Sequence, residues 1–230
     1  MTSVNTQPHV LDNPAWHALS GRQSEFAIKG EVALRYFPQV FLMGAIPDEA
    51  EASFRDLTKI VERDEFIALI GPKIVEDEKN WSELMSVEAH QMTIDTMPPL
   101  ETCVAIELTI SDVPEMLKLI SLARPGPFDE RTIEMGKYVG VRKDHKLVAM
   151  AGERIKLNGY TEVSAICTHP EYRRRDFAKT LTSLLVKEIL ERGDLPFLHV
   201  VTQNTSAIKL YEKLGFKTRR KISITAYKRL

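Results

Sequence analysis

The chain has 230 residues, 31 Lys+Arg, 32 Asp+Glu and a formal net charge of -1, a length that allows one large domain or two small ones. Hydrophobic residues make up 43% and charged residues 27%, ample apolar material for a core, which excludes a disordered chain. Two cysteines, Cys103 and Cys167, build neither a disulfide scaffold nor a four-thiolate zinc site; the apolar runs are too short to cross a bilayer, and Met1 to Pro14 lacks the pattern of a secretory signal, so a reduced, cytoplasmic protein is expected.

Pro14 to Leu19 reads as a short helix. Leu34 to Met43 reads as a strand, placed at an edge or broken by Pro38, which has no N–H to give a ladder. In Ala50 to Arg63, Phe54, Leu57, Ile60 and Val61 recur at spacings of three and four, the pattern of an amphipathic helix. Phe66 to Ile70 is a short buried strand. The mixed stretch around Trp81 to His90 is a helix candidate. Met97-Pro98-Pro99 continues neither helix nor ladder and is the candidate linker.

Cys103 to Ile110 alternates as a strand. Asp112, with Glu115 three residues on, predicts a capping box for a helix carrying Val113, Met116, Leu117 and Ile120. After the loop Arg124-Pro125-Gly126-Pro127, three strands are expected at Tyr138 to Val141, Lys146 to Lys156 and Tyr160 to Thr168, the last two joined by the hairpin signal Asn158-Gly159. A helix with Leu181, Leu184, Leu185 and Ile189 on one face runs to Arg192, and Gly193 ends it. Leu195 to Thr202 is a strand. Asn204 caps a helix bearing Ala207, Leu210, Tyr211 and Leu214, and Gly215 stops it. Ile222 to Tyr227 is the final strand.

Charge is unevenly spread. Ala45 to His90 holds twelve acidic and five basic residues, whereas Thr205 to Leu230 holds eight basic residues and one acid, Glu212. A solvated basic face explains this more simply than a nucleic acid, because no nucleic-acid motif accompanies it. The histidines show no metal-ligand spacing, so no metal is expected.

The segment from Glu162 to Ala178 carries the chemistry. A strand ends in a short loop at the start of a helix, where free N–H groups and the positive end of the helix dipole suit a phosphate. Arg173, Arg174 and Arg175 add forked donors. This region resembles the GNAT superfamily of acyl-CoA-dependent N-acyltransferases, whose signature (Gln/Arg)-x-x-Gly-x-(Gly/Ala) stands here as Arg173-Arg174-Arg175-Asp176-Phe177-Ala178. The approach Thr168-His169-Pro170-Glu171-Tyr172 is similar to the family's. Downstream, Asn204, Ala207, Tyr211, Leu214, Gly215 and Phe216 look like its second signature. The group named for its FR47-like C-terminal region is the most similar, and Leu11 to Leu19 resembles the start of that group. One position departs: the central glycine is Asp176, which adds a Cβ and a negative charge beside the expected pyrophosphate. A usable but weakened phosphate site is expected.

The resemblance implies an α/β (α+β type) GNAT fold: a mixed, mostly antiparallel sheet flanked by helices over residues 100–230, with residues 1–99 an N-terminal α/β extension. It implies acetyl-CoA as co-substrate, lying in a split between the family's fourth and fifth strands. Ile166, Cys167 and Thr168 would pair with the pantetheine, Arg173, Arg174, Arg175, Asp176, Phe177 and Ala178 would hold the pyrophosphate, and Asn204 and Ala207 would flank the coenzyme. A primary amine would attack the thioester directly. Tyr211 matches the family's acid for the leaving thiolate, a backbone N–H near Cys167 would meet the oxyanion, and Glu162 matches the base of the histone acetyltransferases, with Glu153 as runner-up. Longer-chain acyl or amino-acid N-acyl transfer is one alternative; a non-catalytic acyl-CoA-binding module is another. Neither a nucleic acid nor a membrane is expected as a partner, and the C-terminal strand could serve a homodimer. The loop Arg124 to Phe128 stands where the family often shapes its acceptor pocket, or is simply a connector.

Overall fold

The computed structural model describes residues 9–73, 79–99 and 105–230. Near the N-terminus come helix α1 (Pro14–Leu19) and a small antiparallel sheet of β1 (Ala27–Lys29), β2 (Leu34–Tyr36) and β3 (Gly44–Ala45). The expected strand Leu34 to Met43 is therefore cut after Tyr36, where the chain turns through Phe37, Pro38 and Gln39. Helix α2 (Glu51–Ile60) buries Phe54 and Leu57, as the spacing requires.

The main sheet has eight strands in the order β4-β11-β5-β10-β9-β8-β7-β6. These are β4 (Phe66–Ile70), β5 (Trp81–Thr93), β6 (Ile106–Leu108), β7 (Tyr138–Lys143), β8 (Lys146–Leu157), β9 (Tyr160–Thr168), β10 (Leu195–Val201) and β11 (Lys217–Arg229). Every pairing between them is antiparallel except β9 with β10. The stretch from Trp81 is a strand and not a helix, because β5 lies between β10 and β11 and pairs with both. Likewise β11 extends well beyond Ile222 to Tyr227, drawn out along β5. Since β4 and β5 sit inside this sheet, the expected boundary at residue 99 is not an edge of the sheet. Cys103 and the start of its expected strand lie outside the described residues, and only Ile106–Leu108 is seen as strand.

Helices α4 (Phe177–Glu191) and α5 (Thr205–Leu214) cover one face, burying Leu181, Leu185, Val186, Ile189 and Leu214 against Val139, Val141, Val163, Leu198 and Val200. On the other face α3 (Val113–Ala123) packs Val113, Met116 and Leu119 against Leu147, Met150 and Cys167. Beside it the N-terminal segment packs Leu11, Leu19, Tyr36 and Phe41 against Ile155, Leu157 and Phe197. The expected capping box is shifted: Thr109 and Asp112 close it around the 3-10 turn before α3, while Glu115 pairs with Arg142 at 2.9 Å.

Candidate functional site

The parallel pair β9–β10 is joined only at Tyr160, Thr161 and Glu162, opposite Leu195, Pro196 and Phe197. Beyond Glu162 the two strands part, β9 staying with β8 and β10 with β5. The edge of β9 from Val163 onward thus has no strand partner on that side, leaving backbone groups that must find a ligand or water. A bulge re-aims this edge: Gly152 faces Ser164 and Met150 faces Cys167, so Ala165 and Ile166 oppose Ala151 alone, with Ala165 at a φ of 51°. Bulges of this kind are frequent beside active sites.

The split opens into a cleft of about 640 Å³. Ile166, Cys167, Thr168, Arg173, Arg174, Arg175, Asp176, Phe177, Ala178, Asn204, Ala207 and Tyr211 all line it. The loop Ala123 to Gly126 closes another side, as do Tyr172 and Lys179. Arg124 reaches this position because α3 ends on it in the left-handed conformation, φ 50°.

At the start of α4, Thr180 N–H is the first to bond back, to the Asp176 carbonyl at 2.9 Å. The amides of Phe177 and Ala178 therefore lie in the first turn, ahead of the first bond back along the helix. Arg174 and Asp176 both take positive φ, 58° and 56°, which aspartate tolerates better than most residues. Asp176 makes no side-chain capping bond, so its exposed carboxylate is free of that duty. The Arg175 guanidinium lies 5.0 Å from the Tyr172 ring.

Asn204 caps α5 as expected, its Oδ1 accepting from Ala207 N–H at 3.2 Å. Gly215 ends the helix in the left-handed conformation, φ 103°, and Phe216 N–H bonds back to Tyr211 at 3.0 Å. Tyr211 is buried against the Phe216 ring. Burial, and then the neighbouring Cys167, push its pKa up, so the phenol stays protonated and can donate. Burial pushes the Cys167 thiol up to about 12, which makes it a small apolar wall residue rather than a nucleophile.

Glu162 does not line the cleft. Its side chain is 1% exposed and accepts from Arg154 Nε at 2.9 Å, Arg154 Nη2 at 3.0 Å and His199 Nδ1 at 2.8 Å. Burial favours its neutral form, but Arg154, then His199, outweigh burial and hold the pKa at about 2. Glu153, the runner-up, is also buried, held by Lys156 at 2.8 Å and Arg192 at 2.6 Å. The sequence gives no sign of Arg154 and His199 as partners of Glu162, nor of Gln91 as the next contact of His199, because no short-range pattern announces them. Among the described residues no three His, Cys, Asp or Glu side chains gather as metal ligands, and no helix is long and apolar enough to cross a membrane.

A sheet that parts at one parallel pair, with a basic helix start at its mouth, is the architecture expected of an acyl-CoA-dependent transferase. The family profile described as FR47-like protein matches residues 138–224. A solved structure from Novosphingobium aromaticivorans, assigned to the GNAT family as an acetyltransferase, is 34% identical, with a TM-score of 0.90 over 97% of this chain and 100% of that one. The [ribosomal protein bS18]-alanine N-acetyltransferase of Salmonella typhimurium is 29% identical over 115 residues, 47% of this chain and 77% of that enzyme. The catalytic subunit of the N-terminal acetyltransferase B complex of Arabidopsis thaliana is 40% identical over 62 residues, 26% of this chain; the match spans only 36% of the plant protein. The chain belongs to the GNAT N-acetyltransferase family, in its FR47-like group.

Proposed function

We propose that the protein transfers the acetyl group of acetyl-CoA to a primary amine by direct attack. One observation supports this most: both signature segments, far apart in sequence, line the single cleft where β9 and β10 separate. In this reading the free edge of β9 at Ile166 to Thr168 pairs with the pantetheine. The first-turn amides of α4 and the flanking arginines take the pyrophosphate. A backbone N–H at the β9 bulge receives the developing oxyanion, and Tyr211 donates a hydrogen bond to the leaving thiolate. Asn204 and Ala207 flank the coenzyme.

The lining of the cleft also bears on the acceptor. Among the described residues that line it, Asp176 is the only carboxylate and none is a histidine. An acceptor that is already partly neutral needs the least help from a base. An α-amine, with a pKa of ~7.7–8.0, is roughly a quarter to two-fifths neutral near pH 7.5, against about 0.1% for a lysine side chain. We therefore favour an α-amine acceptor; among the relatives, the Salmonella protein is an alanine N-acetyltransferase and the Arabidopsis protein an N-terminal acetyltransferase subunit. The test is CoA-thiol release from acetyl-CoA with two peptides, one with a free N-terminus and one blocked there but carrying lysine. Release with the first and not the second is expected. Acetyl-CoA binding without release with any amine would leave a non-catalytic acyl-CoA-binding module.

A further inference from the structure

A row of polar side chains crosses five neighbouring strands at the closed end of the split. Arg219 on β11 donates from Nε to Gln91 Oε1 at 2.7 Å, and Gln91 on β5 contacts His199 Nε2 on β10 through its Nε2 at 3.0 Å. His199 meets Glu162 on β9, and Glu162 meets Arg154 on β8. The direction of each bond is fixed by its neighbours. Because Arg219 donates to Gln91 Oε1, Gln91 Nε2 must be the donor, both to Leu11 O at 2.7 Å and to His199 Nε2. His199 Nε2 then accepts, so the ring hydrogen is on Nδ1 and is donated to Glu162.

Glu162 is fully occupied. Arg154 supplies two donors, His199 a third, and the Ile155 N–H approaches at 3.4 Å. No oxygen of this buried carboxylate is free to take a proton from an amine. Its place is telling instead. Glu162 opposite Phe197 is the last β9–β10 backbone pair, and His199, two residues further along β10, reaches back to it. This bond rivets the two strands where they part. The N-terminal extension grips both ends of the row. Asp12 accepts from Arg219 and from Arg220, the latter at 2.8 Å, and the Phe41 ring lies 4.4 Å from the Arg154 guanidinium.

We propose that Glu162 and His199 are positioning residues: they set the opening of the split and hence the seat of the acetyl-CoA thioester, with residues 9–45 clamping the row from outside. This rests on the acetyl-CoA reading of the cleft. The experiment measures acetyl-CoA affinity by calorimetry and the pH profile of kcat and KM for wild type, Glu162→Gln, His199→Phe and His199→Asn, with folding checked by circular dichroism. Asparagine keeps a donor where Nδ1 stands; phenylalanine keeps only the shape. Positioning predicts acetyl-CoA binding at least tenfold weaker and a raised KM in His199→Phe and Glu162→Gln, near wild-type affinity in His199→Asn, and pH profiles of unchanged shape. Unchanged affinity with kcat down a hundredfold or more and the acidic limb lost in Glu162→Gln would make Glu162 a base and overturn the proposal. Lower kcat at unchanged affinity and pH profile, from a smaller folded fraction, would also overturn it, leaving a purely structural row. Wild type failing to bind acetyl-CoA would overturn the cleft reading itself, an outcome distinct from both.

Discussion

Asp176 stands where the family signature carries glycine, and replacing it with glycine separates backbone effects from charge effects. The residue is left-handed, at φ 56° and ψ 10°. Such a conformation costs an ordinary L-residue roughly 1–2 kcal/mol, less for aspartate. Glycine removes that cost but loses about 0.5–1 kcal/mol more unfolded-chain freedom on folding. The two nearly cancel, so Asp176→Gly should move Tm by less than about 2 °C in a protein of this size. Affinity is another matter. A unit charge ~6 Å from a phosphate charge interacts by about 0.7 kcal/mol at the dielectric of water and by about 2.8 kcal/mol at that of a protein surface. Asp176 is exposed among three arginines, and solution ions screen it further, so a net gain of about 1 kcal/mol is reasonable. Acetyl-CoA should bind Asp176→Gly about fivefold more tightly in calorimetry at low salt. The advantage should shrink as salt rises to several hundred millimolar. Equal affinities at low salt, or a gain indifferent to salt, would refute the charge argument.

Two further outcomes follow from buried groups. If Tyr211 donates to the leaving thiolate as proposed, Tyr211→Phe should lower kcat by about a hundredfold, with the acetyl-CoA KM within about threefold, as steady-state kinetics will read. Glu162 governs acid stability. Its folded pKa of about 2 lies below the ordinary glutamate value of 4.5, so its contribution is complete above pH 4.5 and is lost as pH falls from there towards 2. The difference is worth about 3 kcal/mol. Thermal melts of wild type should fall steeply across that window, and those of Glu162→Gln, lower at neutral pH because Arg154 is left unpaired, should be flatter there.

What the sequence discloses depends on how far apart the partners lie. The β9-loop-α4 segment and the capped helix α5 are local devices: Asn204, Gly215 and the arginine run do their work within a few residues of themselves, and their elements form where periodicity and capping place them. Strand β5 is the opposite case. Its residues Glu83 to Ser86 are all exposed, and the pairing shifts register between Ala226 and Tyr227, so no period of two survives to mark a strand. It is extended because β10 and β11 flank it, and β11 is more than a hundred residues away. The row from Arg219 to Arg154 fails for the same reason. His199 looks isolated in the sequence and meets Glu162 only because the sheet brings β9 and β10 together. The arginine-bearing side of the cleft could thus be read locally, whereas the environment of the expected base could not.

The same topology decides whether the first ninety-nine residues are an accessory. Without them β11 would lose both β4 and β5, keeping no strand partner at all. Strand β10 would retain only its three-residue contact with β9. The core under α4 and α5 would also lose Met92 and Ile94, both buried in it. Deleting a buried methionine or isoleucine side chain alone costs ~2–5 kcal/mol, and whole domains are stable by only about 5–15 kcal/mol. The fragment 100–230 should therefore show no cooperative thermal transition by circular dichroism, and acetyl-CoA should not raise a melting temperature in it. A sharp melt that acetyl-CoA shifts upward would show that the catalytic unit stands without β4 and β5. If the fragment fails as expected, the N-terminal segment is part of the sheet that forms the split, and acceptor choice and coenzyme seating are set within one cooperative unit.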